Sequence, residues 1–164
     1  MLSVMNKQKI ISDILTHLSQ ELSAIKTAAN NAHLAATDDQ SVAETQYDTL
    51  AIEASYLAEG QSRRVADIQQ AKQAIEQLVM RDFHKEMPIS LGAMVAVSQD
   101  NDGKKWFFIA PAAGGFKGVI DKEHYTVITP SSPMAKALMG KFIDDDVELM
   151  INANKHHHEI MTIY

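Results

Sequence analysis

Two long segments in the first half of the chain repeat mostly apolar residues at alternating steps of four and three positions. This heptad spacing places the repeated positions on one face of a helix, and several heptads in succession are typical of a coiled coil. The positions are Ile11, Leu15, Leu18, Leu22, Ile25, Ala29, Ala32 and Ala36 in the first segment, and Ala43, Tyr47, Leu50, Ala54, Leu57, Gln61, Arg64, Ile68, Ala71, Ile75 and Leu78 in the second. The pattern predicts two long helices that pair along these faces.

Glycine and proline are confined to the later part of the chain, because all seven glycines and all four prolines lie at or after Gly60. The two heptad segments therefore contain almost nothing that breaks a helix. Folding them back on each other aligns Leu22 with Leu57. We predict an antiparallel coiled-coil hairpin over residues 1–79, with its tip near residues 37–44.

The second half of the chain has the signals of a small sheet. The stretches "LGAMVAVSQ", "KKWFFIAPA" and "YTVIT" are rich in Val, Ile, Phe and Trp and predict strands, and "VELMINANKHHHEIMTIY" predicts a closing hairpin that turns between Asn152 and Lys155. We predict an α+β fold in which residues 80–88 form a linker and residues 89–164 form a globular sheet domain.

One short helix is predicted to cover this sheet. In "PSSPMAKALMGK", Ser132 is a helix cap, Pro133 suits the first helical position and Gly140 follows the end of the helix. These are the signals that start and stop a helix within a few residues.

Composition excludes several classes of protein. The 164-residue chain has a net charge of -6, no cysteine and no apolar run that approaches a membrane span. Its first residues lack the apolar core of a signal peptide. We expect a cytoplasmic monomer with no membrane association. Because an acidic chain suits nucleic acid poorly, we expect a protein partner.

The predicted tip carries the candidate functional residues Asp38, Asp39 and Glu44. No Lys or Arg occurs from Thr27 to Ser62, where all the charged residues other than histidine are acidic. A solvated coiled-coil face normally mixes both signs of charge, so this distribution favours a function for the acids. The alternative is structural, since a Ser-x-x-Glu capping box (Ser41–Glu44) would stabilise the start of the second helix.

Other sequence features predict no chemistry of their own. His156, His157 and His158 would alternate between the faces of a strand, which favours exposed strand residues over a metal site. The stretch "APAAGGFKG" does not match a phosphate-binding loop, and no nucleophile–base spacing is present. We therefore expect neither an enzyme nor a cofactor or metal of its own.

The stretch "ITPSSPMAKALMGKFIDDDVELM", with the final "HHEIMTIY", resembles the C-terminal domain of the Gre family (GreA/GreB-like) of bacterial transcript-cleavage factors. The helical hairpin before it matches the same family, so the resemblance spans nearly the whole chain. It implies an FKBP-like globular domain that docks on RNA polymerase, with Ser132, Pro133 and Met134 as the partner-binding residues. It also implies that the coiled coil enters the secondary channel.

The resemblance further implies that the tip acids act near the catalytic Mg²⁺ of the polymerase, which hydrolyses RNA by a two-metal route. Aligning the family's tip on Tyr47 puts its two key acids at Gln40 and Ala43, whereas this chain has Asp39 and Glu44, one position outside each. This difference favours a regulatory member of the family, acting on elongation or initiation, over a cleavage factor. Indirect contact with the RNA 3′ end stays open, as does a coiled-coil adaptor or chaperone unrelated to transcription.

Overall fold

The computed structural model describes residues 6–37, 44–100 and 103–164, and for residues 35–37 and 44–56 it describes the backbone only. The chain divides into two compact units. The hairpin unit is Thr16–Gln73, and the sheet unit combines Met1–Leu15 with Ala74–Tyr164. The first turns of the first helix therefore belong to the same unit as the sheet.

The first two elements are the long helices α1 (Lys7–Thr37) and α2 (Glu44–Glu76), which form the predicted helical hairpin. Gly60 is the single glycine within them, and a Cβ atom built there would meet no atom within 4 Å. A glycine at such a site costs a helix about 1 kcal/mol relative to alanine, which two long apolar faces readily offset. No helix in the described part of the chain has the length and apolarity needed to cross a membrane.

The heptad pattern agrees with burial along α1 but only partly along α2. In the hairpin unit, the less exposed positions of α1 include the predicted Leu18, Leu22, Ile25, Ala29 and Ala32. In α2, Gln61 and Ile68 follow the pattern, whereas Leu57 is 57% exposed and Arg64 is also exposed. Leu57 is therefore not buried against the partner helix as predicted, whereas Arg64 is exposed but lines the cleft between the two helices.

A cleft of about 380 Å³ between the two helices shows how they are aligned. It is lined by Glu21, Ala24, Ile25, Ala28, Gln61 and Arg64. The predicted alignment places Gln61 opposite Leu18, but the structure places it beside residues further along α1. Sliding the alignment by one heptad pairs Ile25 with Gln61 and the two buried residues Leu18 and Ile68. The predicted alignment is wrong because a heptad pattern looks the same when it is shifted by seven residues.

The sheet unit contains six strands and one short helix in the described residues. They are β1 (Met94–Gln99), β2 (Gly103–Ile109), β3 (Lys117–Ile120), β4 (Glu123–Ile128), α3 (Pro133–Leu138), β5 (Asp146–Ile151) and β6 (Asn154–Ile163). The strand order is β3-β4-β2-β1-β6-β5, and all neighbours pair antiparallel except β2 and β4, which are parallel. The predicted α+β fold is confirmed.

Two hairpin turns of the sheet use residues with positive φ. Asn152 and Ala153 join β5 to β6 with φ of 50° and 65°, where the sequence predicts a turn. Asp121 and Lys122 join β3 to β4 in the same way, with φ of 49° and 69°. The sequence did not predict β3, because this edge strand has only four residues and its turn lacks the Asn-Gly or Asp-Gly signal.

Both faces of the central strands β1, β2 and β4 are largely buried. One face, with Val95 and Phe107, packs with Ala135 and Leu138 of α3. The other face includes Met94, Ala96, Trp106, Phe108, Tyr125 and Val127, all nearly inaccessible. The start of α1 lies on this second face, since the Asp13 carboxylate lies close to the Tyr125 hydroxyl. The sequence predicted one helix, α3, that covers the sheet. The start of α1 is a second covering layer that the sequence did not predict.

Candidate functional site

The predicted acidic tip lies largely outside the described residues. Asp38 and Asp39 are outside them, as is Ser41, the predicted cap. Glu44 is described only as the first residue of α2. The metal-directed and capping roles of these acids therefore stay predictions.

The predicted helix cap at α3 is confirmed in detail. Ser132 has an extended backbone, with φ of −70° and ψ of 148°, and its hydroxyl accepts a hydrogen bond from the Ala135 amide at 3.2 Å. Pro133 follows at the start of the helix, where its missing amide hydrogen costs nothing. Gly140 follows the helix end with φ of 82°, a left-handed conformation that glycine adopts without strain.

Hydrogen bonds and apolar packing fix α3 against the sheet unit. The amide of Gly140 donates to the Ile89 carbonyl, and the amide of Ile89 donates to the Lys141 carbonyl, both at 2.8 Å. Ala135 and Leu138 are fully buried beneath the helix. These contacts therefore hold α3 in one orientation on the sheet.

The three predicted partner-binding residues differ in how accessible their side chains are. Pro133 is exposed, whereas Met134 is half-buried and packs against the apolar core. The Ser132 hydroxyl is already engaged as the cap. Pro133 is therefore the member of this group most available for contact.

A buried lysine, which the sequence did not predict, holds the segment before β1. Lys7 is 9% exposed, and its ammonium donates hydrogen bonds to the carbonyls of Arg81 and Gly92, the latter at 3.2 Å. It also lies 4.9 Å from the ring centroid of Phe83, a favourable cation–π distance. Burial lowers the pKa of Lys7, and the nearby negative charge of Asp82 partly opposes this effect.

The contacts of Lys7 fix both sides of an apolar cleft of about 580 Å³, which we name the linker cleft. It is lined by Ala74, Gln77, Leu78, Val79, Arg81, Ser90, Leu91, Pro111 and Met139. Sequence reasoning missed it because its walls come from four separate parts of the chain. One apolar residue of the lining, Val79, follows α2 and is 67% exposed in the structure.

The Tyr125 hydroxyl lies close to the Asp13 carboxylate, between the start of α1 and the sheet. The Tyr125 hydroxyl has no partner in hydrogen-bonding geometry among the described residues. Burial raises the pKa of Tyr125, and the adjacent Asp13 carboxylate raises it further. The hydroxyl lies over Gly118, where a Cβ atom would be only 2.4 Å from the phenol oxygen. Glycine is required there by this close approach.

The three histidines of β6 alternate between the faces of the strand, as predicted. His156 and His158 stack with ring centroids 6.5 Å apart, and His158 Nδ1 lies 2.8 Å from the Ser98 carbonyl oxygen. His157 lies on the other face, with Nδ1 3.5 Å from the carboxylate of Glu148. Lys155 also pairs with Glu148 at 2.9 Å, and its hydrogen bond is the main reason that the pKa of Glu148 is lowered. These are surface interactions of strand residues.

Neither a protein-family model nor a curated protein sequence matches the chain. Solved structures do show a likeness. GreA factor homolog 1 (Gfh1) of Thermus thermophilus is 18% identical with a TM-score of 0.37, and the match covers 92% of this chain and 94% of that one. Thermus aquaticus Gfh1 is 16% identical with a TM-score of 0.38, covering 91% and 92%. A further structure of the transcription factor Gfh1 is 15% identical with a TM-score of 0.38, covering 99% and 96%.

Proposed function

We propose that this protein binds RNA polymerase and regulates transcription. The end of the helical hairpin enters the secondary channel of the polymerase, and the sheet unit docks at the rim of that channel. The tip acids Asp38, Asp39 and Glu44 act near the catalytic Mg²⁺, which belongs to the polymerase. The protein is not itself an enzyme.

The observation that carries this proposal is the geometry of α3. The run from Ser132 to Lys141, on which the resemblance to the Gre family rests, forms a capped helix with Pro133 exposed. Its two buried residues, Ala135 and Leu138, hold it on the sheet. The residues that carry the resemblance therefore also build the fixed helix that the proposal assigns to docking.

The helical hairpin supports the second half of the proposal. Helices of 31 and 33 residues contain no proline and one glycine, so they are suited to reach into a narrow channel. The heptad face narrows from Leu18 and Leu22 to Ala29 and Ala32 toward the tip, which lets the helices approach closely. Acids without nearby basic residues suit contact with a site that holds Mg²⁺.

Regulation without efficient RNA cleavage follows from the tip sequence. The key family positions are Gln40 and Ala43 in this chain, and the nearest acids are Asp39 and Glu44. The basic residues that would hold an RNA 3′ segment are also absent from Thr27 to Ser62. Binding in the channel is therefore preserved while cleavage is weak or lost.

The test is co-purification of the full chain with core RNA polymerase, followed by a transcript-cleavage assay on stalled elongation complexes. We expect stable binding, competition with a genuine cleavage factor for the same site, and little or no stimulation of cleavage. Failure to bind core polymerase would refute the proposal. Strong cleavage would refute its regulatory part while leaving polymerase binding intact.

One observation favours the alternative of a coiled-coil adaptor or chaperone. Leu34 is 58% exposed and Leu57 is 57% exposed, so the hairpin unit presents apolar side chains to solvent. An adaptor would use them to hold a client protein. Suppression of aggregation of an unfolded test protein, without polymerase binding, would support this alternative.

A further inference from the structure

The linker cleft combines an apolar wall with a single positive charge. Leu78, Val79, Leu91, Pro111 and Met139 supply the apolar wall. Arg81 is the only charged residue of the lining, and its guanidinium makes no ion pair with any other described residue. No acid lines the cleft, so its charge is available to a negative group of a partner.

The cleft is already formed in the free protein. Lys7 donates hydrogen bonds to the carbonyls of Arg81 and Gly92, which fixes the segment that carries Arg81 relative to the segment that carries Leu91. The amide of Gly92 donates to the Ile109 carbonyl at 2.8 Å, two residues before Pro111. A preformed site binds without the entropic cost of ordering its walls.

The exposure of the cleft rim indicates a protein partner more than a small molecule. Val79 stays 67% exposed at the edge of the cleft. A small molecule inside the cleft would leave this side chain in water, whereas a protein surface that inserts one apolar side chain would also cover the rim.

We propose that the linker cleft is a second docking site, which takes an apolar side chain flanked by a carboxylate from a segment of RNA polymerase. This inference rests on the proposed function. The apolar side chain packs against Leu91 and Met139, and the carboxylate pairs with Arg81. The site is separate from the exposed Pro133, which lies at the other end of α3 from Met139.

The test measures the affinity of the full chain for core RNA polymerase in three variants. Arg81→Glu reverses the charge, and Val79→Asp places a carboxylate at the rim. Lys85→Glu is the matched control, since it makes the same change of charge at an exposed linker residue outside the cleft. We expect the first two to raise Kd by about tenfold or more and the control to change it less than about twofold.

Folding is checked separately. Lys7 bonds the main-chain carbonyl of Arg81, so we expect this contact to survive the substitution. Thermal unfolding of all three variants should match the wild type. If the wild type binds and all three variants bind equally well, the inference is refuted and the proposed function stands. If the wild type does not bind polymerase, both are refuted.

Discussion

At the scale of single residues, Lys7 shows how one polar side chain can fix a segment that has no regular structure. No helix or strand lies between Glu76 and Met94 in the described chain, so the carbonyls of this segment lack the partners that secondary structure supplies. Lys7 satisfies two of them, at Arg81 and Gly92. An ammonium group has three donors, which lets one side chain serve several acceptors.

We expect Lys7→Met to lower the free energy of unfolding by about 1–3 kcal/mol, because two carbonyls lose their charged donor while the apolar stem is kept. Lys9→Met is the control, since Lys9 makes an exposed ion pair with Asp13 and should cost less than about 1 kcal/mol. Urea unfolding measures both. Equal effects would show that the Lys7 hydrogen bonds contribute little.

Tyr125 makes stability depend on pH in the alkaline range. Its pKa is raised above the ordinary value of 10.0 in the folded chain, so the unfolded chain loses the phenol proton first. Above pH 10 the unfolded state therefore binds fewer protons than the folded state, and the free energy of unfolding falls as the pH rises. Tyr125→Phe should remove this part of the decline while changing stability little at pH 7. Urea unfolding at pH 7 and at several values above pH 10 tests this, and parallel pH profiles would contradict it.

At the scale of elements, two glycines play opposite roles. A Cβ at Gly118 on β3 would lie 2.4 Å from the Tyr125 hydroxyl oxygen, whereas a Cβ at Gly60 on α2 would meet nothing within 4 Å. The first glycine permits a close approach of a strand to a ring. The second only weakens a helix.

We therefore expect Gly118→Ala to destabilise the protein by about 1–3 kcal/mol through overpacking. Gly60→Ala should stabilise it by about 0.5–1 kcal/mol, because alanine favours the helix. Thermal or urea unfolding measures the sign of each change. Two changes of the same sign would mean that the environment of one glycine is assigned incorrectly.

The alignment of the hairpin helices can be tested directly because the chain has no cysteine. Cysteines at Ile25 and Gln61 should form an intramolecular disulfide under mild oxidation, since both residues line the same cleft. Cysteines at Leu18 and Gln61 represent the alignment one heptad away and should stay reduced. Gel mobility with and without reductant reads out both pairs. The opposite result would restore the alignment first predicted from the heptads.

At the scale of the whole molecule, stability and the proposed function depend on different residues. The sheet unit buries both faces of its central strands, with Trp106, Phe108 and Tyr125 fully enclosed on one of them. The proposed regulatory acids fall within the hairpin unit, whereas that core lies in the sheet unit. Changing them should therefore alter function more than stability.

We expect replacement of Asp38, Asp39 and Glu44 by alanine to leave polymerase binding nearly intact and to abolish the effect on transcription. Loss of a helix cap costs about 1 kcal/mol, too little to unfold the protein. A melting curve, a binding measurement and an in vitro transcription assay are made on the same variant. A variant that is folded, bound and fully active would show that the acids serve only as caps.

Features that depend on neighbours along the chain could be predicted from the amino-acid sequence. The heptads and the absence of helix breakers before Gly60 predicted α1 and α2, and Ser132, Pro133 and Gly140 predicted both ends of α3. These signals are local, because a helix satisfies its hydrogen bonds within a few residues.

Features that join distant residues could be seen only in the folded structure. The hairpin alignment, the parallel pairing of β2 with β4, the position of the first turns of α1 on the sheet and the linker cleft each bring together residues far apart in the chain. Lys7 illustrates the reason, since its partner Arg81 is 74 positions away and nothing near Lys7 in the sequence marks that contact. Periodicity specifies which face of an element is apolar, but packing selects the partner that covers it.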